Sequence, residues 1–113
     1  MRMTANVNRQ HHVIKRVMLQ EIDNACYAYL YDTFADRPCV ADGWYESVDE
    51  AKRVCLDVYG IGESDWEVVP DPPPGCQHDI IVPTKILRNS RREVIYKEVD
   101  GRVVFDRRDQ EPG

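Results

Sequence analysis

A chain of 113 residues, 42% apolar and 31% charged, is long enough for one domain to bury its own core without staples. The net charge of −5 argues against a general nucleic-acid binder, which needs a basic face to displace counterions from phosphate, and leaves room only for a local basic patch. No apolar run approaches the roughly 18 residues of a transmembrane helix.

In chain order, "MRMTANVNRQHH" (1–12) lacks the apolar centre of a signal peptide and reads as a polar, aperiodic, disordered tail. The expected location is therefore cytoplasmic. The adjacent His11 and His12 would point to opposite sides of an extended chain, and they read as tail residues. "VIKRVMLQEI" (13–22) and "ACYAYLYD" (25–32) alternate as strands around the turn residues Asp23 and Asn24, and a short third strand near "GWYES" completes a meander.

Ser47 followed by Glu50 is a capping box, and it opens a helix over 47–59. Val48, Ala51, Val54, Cys55 and Val58 recur at helical spacing, giving one apolar stripe. Gly60 is a left-handed stop, with Ile61 placed to fold back on the last turn. "DWEVVP" (65–70) resembles a short strand. "DIIVPTKIL" (79–87) resembles another, with Pro83 inside it demanding an edge or a bulge. Asp100-Gly101, flanked by β-branched and aromatic residues, marks a hairpin over 92–108, and 109–113 is a tail. The expectation is a single α+β domain over 13–108, core 13–87. It is a two-layer arrangement of an antiparallel sheet, meander plus C-terminal hairpin, packed against one main helix.

The candidate sites follow from this layout. "PDPPPGCQHD" (70–79) concentrates prolines with no N–H to donate, so 72–74 should be extended and stiff, and Gly75 permits a change of direction. A rigid spacer is a complete structural account of it. The chemical alternative uses Cys76 and His78, which are two apart and would project to one side of an extended chain. An imidazole there could activate a thiol, or the two could be zinc ligands. Zinc needs two more donors; the candidates are Cys26, Cys39 and the tail histidines His11 and His12, and no second pair is spaced to supply them. As reduced thiols the four cysteines fit a cytoplasmic chain.

Alternation places Tyr27, Tyr29 and Tyr31 on one face of their strand, opposite Cys26, Ala28 and Leu30. The small face suits packing under the helix. The tyrosine face is either a recognition platform or a covered aromatic cluster. Residues 32–71 hold eleven acids against three bases, which is a solvated face or a docking surface for a basic partner. No phosphate-binding glycine loop, nucleophile elbow or His-Glu-x-x-His motif is present.

"WEVVPDPPPGCQHDIIVPTKI", with "CYAYLYDTFADRPC" and "GWYESVDEAK" before it, is similar to small bacterial proteins of no established activity. In these a Tyr-rich strand precedes a helix and a Pro-Gly-Cys-Gln-His-Asp loop. The resemblance implies only that residues 15–87 form the domain proper, with the C-terminal hairpin an addition.

The leading reading is a non-catalytic interaction or accessory module, monomeric or weakly dimeric. It would need no cofactor, would not enter a membrane, and would bind a protein partner. Its candidate surface is Tyr27, Tyr29, Tyr31, Trp66, Gly75, Cys76, Gln77, His78 and Asp79. The alternative is a small Cys/His-dependent enzyme or metal-binding protein centred on Cys76 and His78.

Overall fold

Two tight turns organise the chain, and both use residues that tolerate left-handed backbone. The computed structural model describes residues 1–9 and 12–107. Asp23 (φ 51°) and Asn24 (φ 67°) join strands β2 (Arg16–Ile22) and β3 (Ala25–Tyr31), paired from Ile22–Ala25 to Arg16–Tyr31. Two successive positive φ values match the right-handed twist of the flanking strands. Asp100 (φ 51°) and Gly101 (φ 79°) repeat the device between β7 (Val94–Val99) and β8 (Arg102–Asp106).

The chain forms two compact units, Met1–Asp71 and Pro72–Gly113. The first holds a five-stranded antiparallel sheet in the order β4-β3-β2-β1-β5, where β4 is Ala41–Tyr45 and β5 is Glu67–Val69. The segment expected to be a disordered tail supplies β1 (Arg2–Asn6), which runs between β2 and β5. Met3, Ala5 and Val7 point into the core, all at most 5% exposed. The alternation was obscured because Arg2, Thr4 and Asn6 fill the intervening positions, so the strand reads as a polar stretch. His11 and the 109–113 tail lie outside the described residues. His12 packs edge-on against Tyr59, with ring centroids 5.1 Å apart.

Helix α1 (Val48–Tyr59) covers one face of this sheet. Ser47 Oγ accepts from the Glu50 N–H at 3.1 Å, and the Glu50 carboxylate accepts from the Glu46 N–H at 3.0 Å, one residue before the cap. At the far end Gly60 takes φ 70°, and the Gly60 and Ile61 N–H groups donate back to the carbonyls of Leu56 and Cys55. The buried stripe differs from the expected one. Ala51 and Cys55 are buried and Val48 and Tyr59 pack at their side, whereas Val54 is half-buried and Val58 is 46% exposed. A spacing of three, four and four residues from Val48 ends on Tyr59, whose larger ring takes the last place in the stripe.

The second unit holds a three-stranded antiparallel sheet, β6-β7-β8, with β6 at Thr84–Arg88. The C-terminal hairpin therefore joins a sheet of its own. Pro83 lies just before β6 rather than inside a strand, and its carbonyl accepts from the Asp100 N–H at 2.7 Å. Among the described residues no helix is long and apolar enough to cross a membrane.

Candidate interaction surface

The proline loop is built by backbone. The Cys76 N–H donates to the Pro73 carbonyl at 3.0 Å, with Pro74 and left-handed Gly75 (φ 83°) between them, which makes a β-turn of the Pro-Gly kind. One residue on, the Gln77 N–H donates to the Thr84 carbonyl at 2.7 Å, tying the loop to the first residue of β6. Cys76 is 8% exposed, His78 is exposed, and Gln77 and Asp79 are half-buried. These are the features of a structured connector. Among the described residues, no three His, Cys, Asp or Glu side chains are grouped to hold a metal ion.

The tyrosine face does not survive as one platform. Its partners across β2 and β1 are mostly polar, and several are buried: Arg2 at 1% exposure, Arg16 at 6% and Gln20 at 4%, with Met18 fully buried opposite Tyr29. Tyr31 is fully buried, with the Arg16 guanidinium 4.3 Å above its ring. Tyr29 is half-buried, and its hydroxyl donates to Gln20 Oε1 at 2.8 Å. The Arg16 terminal nitrogens reach the carbonyls of Phe34 and Ala35, which brings the 32–36 loop against this end of the face. Tyr27, at the other end, remains 39% exposed. The small face behaves as alternation dictates, with Cys26 and Ala28 buried in the core and Leu30 packed against it.

What the strand pairing adds to Tyr27 is Trp44. The two are direct cross-strand neighbours, and Trp44 is 56% exposed. Asp42, opposite Tyr29, lies two residues along β4 on the same face and is exposed. Beyond them the sheet ends, because β4 is its outermost strand. The chain matches no known protein family, curated protein or solved structure. The reading of this surface therefore rests on its own residues. Trp44 was not among the sequence candidates. Its only sequence signal is a tryptophan on a short strand, and the register with β3 is what sets it beside Tyr27.

Trp66 lies elsewhere. It packs partly against the core and lines an open groove of about 260 Å³ with Asp49, Lys52, Arg53, Leu56, Ile61 and Glu63. A Lys52–Glu63 ion pair of 2.8 Å spans two of these lining residues. The sequence-predicted residues thus fall into separate places: Tyr27 at the β3–β4 end, Tyr29 and Tyr31 in a polar buried cluster, Trp66 by α1, and Gly75 to Asp79 in the proline loop.

Cys26, Cys39, Cys55 and Cys76 form no disulfide. Cys26 and Cys55 are buried in the same core cluster, and desolvation pushes both thiols up to about 11, with the charge of Cys26 adding to the shift of Cys55. A thiol held protonated is a poor nucleophile, so these two are packing groups.

Proposed function

We propose that this protein is a cytoplasmic, non-catalytic interaction module, and that its partner-facing surface is the Tyr27–Trp44 pair at the open β4 edge. The observation that carries the reading is the exposure of two large aromatic rings as cross-strand neighbours on a terminal strand. Indole and phenol offer large contact area with few rotatable bonds, which is why such rings anchor protein interfaces. Tyr27 at 39% exposure and Trp44 at 56% each leave ring surface open to a partner. Chemistry at Cys76 is disfavoured by its burial and by the use of the loop as a bonded connector.

Selection of peptides against the intact protein from a displayed library, repeated on Trp44→Ala, tests this reading. Enriched sequences that bind the parent and are lost on Trp44→Ala, with the thermal midpoint unchanged, support it. Enrichment that is indifferent to Trp44→Ala, or none at all, overturns it.

A further inference from the structure

Four strands end the two sheets, and they are not equally suited to accept another chain. Strand β5 has three residues. Strand β6 carries Lys85 and Arg88. Strand β8 exposes Val103, Val104 and Phe105, but its register against β7 slips there, so that Val104 is an extra residue and Arg102 and Asp106 fall on opposite faces. Charges and bulges of this kind blunt an edge against pairing. Strand β4 has five residues, pairs with β3 without a register slip, and is exposed at four of its five positions. Alternate N–H and C=O groups of an edge strand face outward without a strand partner.

Its side chains add direction. Trp44 and Asp42 share one face, an aromatic ring and a carboxylate two residues apart. Residues 38–51 around them carry four carboxylates, Asp42, Glu46, Asp49 and Glu50, and no Lys or Arg. On the other face, between Ala41 and Tyr45, is Gly43. A Cβ there would meet only the Tyr45 ring, at 3.9 Å, and Gly43 is not among the glycines of positive φ. Neither packing nor backbone conformation requires glycine at this position, and a glycine inside a strand suits close approach of another chain.

We infer that the β4 edge takes up an extended basic peptide as a sixth strand, in the pattern basic–apolar–basic. This rests on the interaction-module reading above and names its partner chemistry. Main-chain hydrogen bonds to β4 supply the general affinity, and alternate side chains supply the choice. A Lys or Arg on the Trp44 face lies over the indole and beside Asp42, combining a cation–π contact with a charge pair. The apolar residue between the two basic ones occupies the space above Gly43 and packs on the Tyr45 ring.

The probe is the capped peptide Ser-Arg-Val-Arg-Ser, titrated into isotope-labelled intact protein. The comparison peptides replace both Arg by Glu, or carry N-methyl groups on alternate residues. The expected result is saturable, salt-weakened binding with amide shifts concentrated at residues 41–45. Trp44→Ala and Asp42→Lys should each weaken it at least tenfold, Asp42→Lys should favour the Glu peptide, and N-methylation on the β4-facing register should cost at least tenfold. Equal binding of both N-methylated registers at Trp44 overturns strand addition while leaving the interaction surface standing. An Asp42-independent preference for the Glu peptide overturns the charge assignment. Absence of shifts at 41–45 with every peptide overturns the proposal. If the library selection also yields no Trp44-dependent binder, the wider reading falls with it. Concentration-dependent dimerisation abolished by Trp44→Ala also overturns the proposal, in favour of a second copy at this edge.

Discussion

Two arginines on the polar face of the five-stranded sheet illustrate how differently buried charge can be held. Arg2 donates through Nε and Nη2 to the Pro70 carbonyl, the former at 2.8 Å, and burial lowers its pKa against the opposing pull of Asp71. Arg16 lies over Tyr31 and reaches two carbonyls at 3.4 Å, while its buried Nε has no hydrogen-bond partner among the described residues. Removing a well-bonded buried donor strands its acceptor, whereas replacing a poorly bonded one by an apolar isostere can be neutral. Arg2→Met should therefore cost about 1–3 kcal/mol, and Arg16→Met should stay within about 1 kcal/mol of the parent, as read from denaturant unfolding. The core thiols make a second prediction. Burial raises the Cys26 and Cys55 thiols from an ordinary value of 9.0 to about 11. Below the unfolded value both states are protonated and the stability is fully present. As pH rises through the window from about 9 to 11 the unfolded chain loses its protons first, so stability falls, by at most on the order of 3 kcal/mol per thiol. Burial shifts Tyr45 and Tyr59 upward too, and they act in the same direction. Unfolding midpoints measured across that window should drop, and Cys55→Ala should shallow the slope.

At the scale of the element, α1 shows a local code and a tertiary one side by side. The Ser47 cap and the Gly60 stop depend on neighbours within a few residues and were readable as such. Which side of the helix meets the sheet is decided by the core. Ala51 is fully buried while Val58 is 46% exposed. Ala51→Asp should thus destabilise by several kcal/mol, an unpaired charge in the core, while Val58→Asp should change stability by no more than about 0.5 kcal/mol. Thermal melts of the two variants check this, and equal losses would show that the helix is rotated from this orientation.

For the whole molecule, the division into Met1–Asp71 and Pro72–Gly113 implies unequal stability. The main hydrophobic core, from Met3 to Ile61, lies wholly in the first unit. In the second, Cys76, Ile80 and Thr84 are buried, while Leu87, Val103, Val104 and Phe105 remain exposed. Little burial means low-energy opening. Amide exchange followed by mass spectrometry should find β2 and β3 slowest. Amides of β6, β7 and β8 should lose protection first as denaturant is added. A single cooperative loss across both units would contradict this division.

The sequence by itself determined what neighbouring residues decide. It marked the Asp23-Asn24 and Asp100-Gly101 turns, the capped helix, the meander and the α+β class, because turns, caps and alternation are short-range consequences of φ preference and hydrogen bonding. Only the tertiary structure decided the rest. β1 is not legible in the sequence because Arg2, Thr4 and Asn6 alternate with its apolar residues, and that apolar half gains meaning only beside β2. Three tyrosines equivalent by alternation became one buried under Arg16, one bonded to Gln20 and one exposed, since the environments along a single strand are supplied by distant residues. Trp44 became part of a surface because strand order left β4 at the edge and register set it across from Tyr27, and both are settled by which long-range pairings bury the most apolar area.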